Sequence, residues 1–466
     1  MNTRKLKKID TKIDSNDPFA SCKFERRKYA ESLTKIIQAY PSGFVMSINN
    51  EWGMGKTTFI KMWFEYLKKE EIKAIYFNAW ENDYESSPLV SILSELNEEF
   101  KLTTSSTTNK ILEYGSSIAK NILPELIKQL TSTYVGINTN EIIEKLSESG
   151  AEIFKKEIEL YRNKKQNIIK FKEELTARIL ENSINNQPIV FIIDELDRCK
   201  PTYAVELLEN IKHLFSVDEI TFVLSIDKNQ LSNSVKGYFG SDRIDSEDYL
   251  RRFIDLEFSL PSPNIKNYID HLYDYYKLGD ILEHKTRTQY HSTKYDNEIF
   301  KKTSKIFLEN CTLRQIEKFF ISARISLYSF SEKNYIFPHL FSFLIYLKTF
   351  KSEIFSRIEK MNYTRQELSD VFFSIIENNK IVENNNLIAR TEAMLLVAYN
   401  NYDETNSISL TSVTDDNKII CAVESKSSKL FKYNIETEIE SILVSYNRIN
   451  LQFILNKIRL TDNLEL

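Results

Sequence analysis

Residues 47–58 read Ser-Ile-Asn-Asn-Glu-Trp-Gly-Met-Gly-Lys-Thr-Thr, and this stretch decides how the chain is interpreted. An apolar run typical of a strand, residues 43–48, leads into it, and residues 58–66 carry apolar side chains at helical spacing. A loop between a strand and a helix directs the N–H groups of the helix's first turn at an anion. The stretch therefore predicts a phosphate-binding loop, with an ordinary strand-turn-helix connection as the alternative.

The residue types in this loop suit a nucleotide. Gly53 and Gly55 let the backbone approach phosphate oxygens, Lys56 supplies a positive charge for the β and γ phosphates, and the Thr57 hydroxyl can ligate Mg²⁺. The consensus G-x-x-x-x-G-K-[ST] begins with glycine, where this chain has Asn50, a residue type that tolerates positive φ. The predicted nucleotide contacts are Asn50, Trp52, Gly53, Met54, Gly55, Lys56, Thr57 and Thr58.

The composition is that of a globular protein. Of the 466 residues, 42% are hydrophobic and 12% aromatic, enough for roughly two to four domains with buried cores. The formal net charge of -4, from 62 basic and 66 acidic residues, gives no overall attraction to nucleic acid or to anionic membranes. The charge therefore does not indicate a nucleic-acid partner, and it does not exclude one.

Cysteine usage and hydropathy favour a cytoplasmic protein. The four cysteines are scattered without a C-x-x-C pair, which predicts neither a disulfide framework nor a zinc site. The amino terminus lacks the apolar core of a signal peptide. The longest apolar candidate for a membrane span, residues 334–347, is uncharged, contains Pro338 and His339 and is shorter than the about 20 residues that a span needs. We expect a buried helix there and no membrane span.

The first part of the chain predicts an α/β fold. Near-continuous apolar runs alternate with helical patterns, which favours a parallel five-stranded sheet flanked by helices on both sides. A long stretch at about residues 86–187 is rich in Lys, Glu, Ile and Leu at helical spacing and is predicted to be an inserted helical module. The predicted strands are residues 43–49, 73–78, 188–194, 220–226 and 253–260.

Two prolines, Pro261 and Pro263, mark a predicted domain boundary. Residues 1–262 form the predicted phosphate-loop core with its helical insertion. Helical periodicity then favours a helical lid at residues 263–334 and a mostly helical domain at residues 335–466, for which no motif suggests a chemical role.

Acidic residues follow the third predicted strand. Residues 190–193 are apolar and lead into Asp194, Glu195 and Asp197. Such a strand carries Asp194 to the carboxyl edge of the sheet, where it can hold Mg²⁺ through water. Glu195 is the candidate to polarise the attacking water, and Asp197 is a second candidate. The alternative is a strand that ends in a solvated acidic turn.

Four motifs occur together in this chain: Asn-Glu-Trp-Gly-Met-Gly-Lys-Thr-Thr (50–58), Phe-Asn-Ala-Trp (77–80), Asp-Glu-Leu-Asp-Arg-Cys (194–199) and Phe-Val-Leu-Ser-Ile-Asp (222–227). With these motifs the chain resembles the KAP family of P-loop ATPases, over about residues 15–320. The resemblance implies ATP as the substrate and a sheet whose fourth strand lies between the phosphate-loop strand and the metal strand. Many members carry membrane helices in the insertion, but here charges such as Lys120 and Glu125 exclude them.

The implied strand order places Ser225 and Asp227 beside the γ-phosphate. Ser225 could then orient the attacking water by a hydrogen bond. Asp227 has an alternative role, since it precedes a predicted helix and is a residue type that caps helix amino termini.

Arginines could supply a further positive charge for phosphoryl transfer. Arg252, with Arg251 as the next candidate, ends the helix before the fifth strand, where related oligomeric ATPases present an arginine to the adjacent subunit. Arg314 lies in residues 312–318, which resemble the lid segment that brings an arginine onto bound nucleotide. The alternatives are exposed arginines on a helix surface and an ion pair of Arg314 with Glu317.

Three aromatic residues accompany these motifs. Phe24 lies in residues 24–30, which match the family's approach to the phosphate loop, and it could stack on the base; core packing is the alternative. Trp52 is expected to brace the phosphate loop, and Trp80 to fix the end of the second strand.

The sequence favours an ATPase that uses ATP and Mg²⁺ to switch or assemble a cytosolic complex, through self-association or a partner protein. Bacterial relatives in the resembled family include phage-exclusion proteins, which implies a role in anti-phage defence or signalling. The alternative is a nucleotide-gated scaffold that binds ATP with little hydrolysis. A DNA-remodelling motor ranks last, because no basic domain and no aromatic-basic strand platform is apparent.

Overall fold

The structure is a computed structural model that divides into two compact units, which meet in sequence at Ser262 and Pro263. Most of the predicted insertion at residues 86–187 lies outside the residues that the structure describes. Those residues are 13–84, 87–100, 114, 162–163, 165–181, 187–215, 217–283, 293–378, 385–402, 408–413, 419–446 and 449–459.

The first unit is built on a parallel sheet of five strands, β1 (Val45–Asn49), β2 (Ala74–Asn78), β3 (Ile189–Asp194), β4 (Ile220–Ile226) and β5 (Leu256–Ser259). Their order in the sheet is β2-β3-β4-β1-β5, which confirms the predicted α/β class and the position of β4 between β1 and β3. The fifth strand starts later than predicted, because Phe253 belongs to a turn in which its N–H donates to the Leu250 carbonyl at 3.0 Å.

Helices cover both faces of this sheet, which is why β3 and β4 are buried at every position. The helices of this unit are α1 (Arg27–Ala39), α2 (Lys56–Lys69), α3 (Pro88–Phe100), α4 (165–181), α5 (Pro201–His213), α6 (Lys228–Phe239) and α7 (Ser246–Arg251). Successive β3 side chains alternate between the two cores: Val190 and Ile192 pack with α1 and α2, and Phe191 and Ile193 pack with the helices of the other face.

The second unit is mostly helical and carries one antiparallel hairpin, β6 (Thr411–Val413) and β7 (Ile419–Cys421). The predicted buried helix is present as α12 (Pro338–Phe350), which is buried along most of its length. No helix among the described residues is long and apolar enough to cross a membrane. The helices are α8 (Ile265–Tyr275), α9 (Leu278–Leu282), α10 (Thr293–Phe307), α11 (Leu313–Ser329), α12 (Pro338–Phe350), α13 (Ser352–Glu359), α14 (Arg365–Ile376), α15 (Asn385–Tyr402), α16 (Lys426–Phe431), α17 (Ile435–Ser445) and α18 (Leu451–Arg459).

A fully buried carboxyl group lies inside this second unit. Glu392 on α15 accepts hydrogen bonds from the hydroxyls of Ser369 (2.6 Å), Ser425 (2.8 Å) and Tyr433. Burial raises the pKa of Glu392. The group joins α14, α15 and the chain around α16 through one set of hydrogen bonds.

Candidate functional site

The phosphate loop connects β1 to α2 with the geometry that its glycines allow. Gly53 and Gly55 have φ of 81° and 83°, a region that glycine enters without the steric cost of a Cβ atom. Gly55 is the residue before α2, and Lys56, half-buried Thr57 and exposed Thr58 form the first turn of the helix. The loop therefore presents the amino end of α2 at the carboxyl edge of the sheet.

Asn50 replaces the consensus glycine for a reason other than backbone strain. It is not among the positive-φ residues of the described chain. Its side-chain Nδ2 donates to the Leu260 carbonyl at 3.1 Å, its Oδ1 accepts the Glu51 N–H at 2.8 Å, and its own N–H donates to the Ile226 carbonyl at 3.2 Å. The expectation that Asn50 serves by tolerating positive φ is wrong, since its side-chain amide instead connects the loop to the residue after β5, and its backbone N–H connects the loop to the end of β4.

The Lys56 side chain is buried and turned back onto the loop. Its Nζ donates to the Asn50 carbonyl. Burial lowers the pKa of Lys56, and the nearby carboxylates of Asp197, Asp227 and Asp194 oppose that shift. A cation thus lies among three acids, at the place where the sequence predicts the β and γ phosphates.

Asp194 ends β3 and is almost completely buried. Its Oδ1 accepts the Glu195 N–H at 3.0 Å, and its Oδ2 accepts the Tyr76 hydroxyl at 3.0 Å. Each oxygen keeps a lone pair for a further ligand. Ser225 pairs with Asp194 across β3 and β4, and its buried Oγ has no hydrogen-bond partner among the described residues.

Glu195 follows directly and has a left-handed backbone, with φ of 62°. Arg198 Nη1 lies 2.6 Å from its Oε1, and Asn78 Nδ2 donates to its Oε2 at 3.5 Å. Burial raises the pKa of Glu195, and the charge of Arg198 opposes this shift. A non-glycine residue in this conformation destabilises the folded protein by about 1 to 3 kcal/mol, and such residues cluster at functional sites.

Asp197 is engaged by the phosphate loop. The Trp52 indole Nε1 donates to Asp197 Oδ2, and the Trp52 N–H donates to Asp227 Oδ2 at 3.2 Å. Asp227 also caps α6 by accepting the Gln230 N–H at 3.4 Å. Trp52 therefore braces the loop against two carboxylates, and Asp227 has both a capping role and a place at the site.

Arg198 lies between two exposed rings. Its guanidinium carbon is 6.0 Å from the ring centroid of Trp52 and 5.5 Å from that of Trp80. The two rings thus stabilise the Arg198 cation of the ion pair with Glu195, Trp52 from the phosphate loop and Trp80 from the residues that follow β2.

The other candidates lie apart from this cluster or in the second unit. Arg251 and Arg252 are exposed and pair with carboxylates one turn earlier, Arg251 with Glu247 at 3.8 Å and Arg252 with Asp248 at 3.2 Å. Arg314 is exposed in the first turn of α11, in the second unit. Their predicted roles stay predictions.

Sequence reasoning missed four residues at the site, although each lies in or beside a motif that it quoted. Arg26, which donates to the Met54 and Gly55 carbonyls of the phosphate loop, belongs to residues 24–30. Asn78 belongs to residues 77–80, and Arg198 belongs to residues 194–199. Tyr76 immediately precedes residues 77–80. The signal that could have indicated these four residues is a polar side chain in or next to a motif. The hydrogen-bond partner of each is decided by the fold and cannot be inferred from the motif.

A parallel sheet with β4 between β1 and β3, a glycine-containing loop before α2, and Asp194 at the end of β3 define a P-loop NTPase. A family model described as the KAP family P-loop domain matches residues 26–329. The chain belongs to the KAP family.

Solved structures similar to this chain are distant in sequence. The Aeropyrum pernix ORC2 protein in its ADPNP-ADP complexes is 14% identical, with 90% of this chain and 95% of that chain covered and a TM-score of 0.35. The Drosophila ORC bound to poly(dA/dT) DNA and Cdc6 is 11% identical, with 96% and 62% covered and a TM-score of 0.32. A Thermotoga maritima RuvB variant is 12% identical, with 88% and 96% covered and a TM-score of 0.27. No curated protein matches the chain.

Proposed function

We propose that this protein is a KAP-like ATPase that binds and hydrolyses MgATP to switch or assemble a cytosolic complex. The observation that carries the proposal is the meeting of three groups at one sheet edge. Lys56 starts α2, Asp194 ends β3 close enough to Lys56 to act on its pKa, and Glu195 follows with a half-buried side chain. A cation, a metal-binding carboxylate and a base are the parts that phosphoryl transfer to water needs.

The reaction transfers the γ-phosphoryl group of ATP to water. The oxygen of water forms a bond to the γ-phosphorus, the bond from that phosphorus to the bridging oxygen breaks, and ADP leaves with the bridging oxygen. Glu195 accepts the proton of the attacking water, and Ser225 orients that water through its unpaired hydroxyl. Lys56 leaves the Asn50 carbonyl and neutralises phosphate charge.

The residues fit a magnesium ion. Asp194 and Thr57 offer the hard oxygen ligands that Mg²⁺ prefers, and each Asp194 oxygen keeps a lone pair beside its single hydrogen bond. When bound, the ion supplies charge stabilisation for the phosphate oxygens. Tyr76 contributes by holding the Asp194 carboxylate in one orientation.

A Lys56→Ala protein is expected to bind ATP about ten- to hundred-fold more weakly and to lose Mg-dependent phosphate release, because a charge-assisted contact to phosphate is removed. The measurements are ATP titration and steady-state phosphate release. Lys61→Ala, at an exposed position on the same helix, is the matched control and keeps both activities. Equal phosphate release by the Lys56→Ala and unsubstituted proteins would contradict the ATPase proposal.

A nucleotide-gated scaffold is the second candidate, and one observation favours it. Both carboxylate oxygens of Glu195 have partners, Arg198 at 2.6 Å and Asn78 at 3.5 Å, which opposes proton uptake from water. Such a protein binds ATP, rarely hydrolyses it and recruits partners. Within either function, a place in bacterial anti-phage defence or signalling is supported only by the family resemblance.

Self-association is part of the proposal, with Arg252 or Arg251 presented to a neighbouring copy and Arg314 brought onto nucleotide by the helical lid. An aromatic cluster beside Arg252 supports such an interface. The ring centroids of Phe239 and Tyr249 are 5.4 Å apart, and Phe239 is 47% exposed. Exposed aromatic and arginine side chains are the residue types that protein interfaces favour.

We therefore expect the mass in solution to increase when a non-hydrolysable ATP analogue is added. The measurement is light scattering after size-exclusion chromatography, at several protein concentrations. Phe239→Asp should prevent the increase, whereas Tyr295→Asp, at an exposed tyrosine in the second unit, should not. A mass that stays monomeric with saturating analogue at every concentration argues against arginine donation between copies.

A further inference from the structure

Arg26, immediately before α1, places a buried guanidinium behind the phosphate loop. The side chain is 3% exposed. Its Nη1 donates to the Gly55 carbonyl and its Nη2 to the Met54 carbonyl, both at 2.9 Å. These two carbonyls belong to the loop residues that lead into Lys56, so Arg26 contacts the loop at the point where it enters α2.

The two hydrogen bonds fix the direction of two peptide groups. In a trans peptide the C=O and the N–H of the next residue point to opposite sides. With the carbonyls of Met54 and Gly55 turned toward Arg26, the N–H groups of Gly55 and Lys56 point away from it. Hydrogen bonds to a carbonyl also polarise the attached N–H, which makes it a stronger donor. Arg26 thus directs two polarised donors to the opposite side of the loop.

This guanidinium has no anionic partner in the described part of the chain. Among the described residues, no carboxylate lies within 4.0 Å of it, and its buried Nε has no hydrogen-bond partner. The Phe24 ring, with its centroid 5.1 Å from the guanidinium carbon, covers one side. Burial lowers the pKa of Arg26 to about 10, which still leaves it charged at neutral pH. A buried cation without a counter-ion destabilises the structure that contains it.

We propose that Arg26 is a positioning residue of the phosphate loop and that the phosphates of bound nucleotide balance the charge it buries. The proposal rests on the proposed nucleotide binding, but not on hydrolysis. Arg26 then has opposite effects on the nucleotide-free and the nucleotide-bound protein. Its buried charge destabilises the nucleotide-free protein and stabilises the nucleotide-bound protein, whereas a residue with a purely structural role would stabilise both.

The test compares Arg26→Met with Arg27→Met, a neighbouring arginine whose partner is the exposed Asp17. Nucleotide affinity is measured by titration with ADP and a non-hydrolysable ATP analogue, and stability by thermal unfolding with and without them. Arg26→Met is expected to bind both nucleotides about ten- to hundred-fold more weakly. Its empty form should unfold at the same or a higher temperature, with a smaller rise on adding nucleotide. Arg27→Met should keep both the affinity and the rise.

Arg26→Lys provides a second measurement, because it keeps the charge but not the two-pronged contact. Its affinity should lie between those of Arg26→Met and the unsubstituted protein. The inference is overturned if Arg26→Met binds nucleotide normally, or if its empty form is unfolded or markedly less stable. If the unsubstituted protein binds neither nucleotide, the proposed function itself fails, which is a different result.

Discussion

A Glu195→Gln protein is expected to keep ATP bound and to hydrolyse it about 10² to 10⁴ times more slowly, the range that loss of a general base produces. Glutamine has nearly the same shape, so its side-chain oxygen can still face Arg198 and the local backbone is retained. What it lacks is the ability to accept a proton from the attacking water. The measurements are single-turnover phosphate release and retention of labelled ATP on gel filtration.

Glu206→Gln is the matched control, because Glu206 is a partly buried glutamate on α5 whose pKa is also raised. It should leave turnover unchanged. If Glu195→Gln hydrolyses ATP as the unsubstituted protein does, Glu195 is not the base, and the scaffold with incidental hydrolysis is favoured.

The pH dependence of turnover provides an independent check on Glu195. Only the ionised carboxylate accepts a proton, so the rate should fall as the pH drops through the pKa of this group. Because burial raises that pKa, the fall should begin at a higher pH than for an exposed glutamate. The Glu195→Gln protein should lack this limb of the profile.

A Glu392→Ala protein is expected to be less stable by roughly 3 kcal/mol or more, because each buried hydroxyl left without a partner costs about 1 to 3 kcal/mol. Three hydroxyls, those of Ser369, Ser425 and Tyr433, lose their acceptor. Urea denaturation followed by circular dichroism measures the effect. Tryptophan fluorescence serves as a control, since all three tryptophans lie in the first unit and should report unchanged unfolding there.

Glu392→Gln separates hydrogen bonding from charge. The pKa of Glu392 is raised in the folded protein, so the carboxyl group stabilises the fold at low pH, and this contribution is lost as the pH rises through the folded pKa. The stability of Glu392→Gln relative to the unsubstituted protein should therefore increase with pH. Glu353→Ala, at an exposed position on α13, should change stability by less than about 0.5 kcal/mol. A glutamine variant as unstable as the alanine variant would show that the ionised carboxylate is required.

Most of the sheet and most residues of the candidate site could be predicted from sequence. Strands buried on both faces are near-continuous apolar runs, so the sequence predicts β1 to β4 with ends correct to within two residues. The positions of Gly53, Gly55, Lys56 and Asp194 follow from local backbone geometry or from the end of a strand, and each of these leaves a local sequence pattern. The edge strand β5 was predicted less well, because its alternating burial is a weaker signal and Phe253 lies in a turn.

The role of Asn50 shows why the rest could not be predicted. Read locally, asparagine in a glycine position suggests a backbone that needs positive φ. In the structure its side chain bonds to Leu260, which is 210 residues away, and the backbone is ordinary. No pattern within the loop indicates that contact.

The sequence by itself determined the class of fold, the phosphate loop and the carboxylate at the end of β3, because short-range periodicity and glycine placement encode strands, helices and turns. Only the tertiary structure decided how the loop is held. Arg26 bonds to Met54 and Gly55 from 28 and 29 residues away, and Trp52 bonds to Asp197 from 145 residues away. These contacts depend on which elements the folded sheet brings together, and a hydrogen bond between distant residues leaves no periodic trace in either segment.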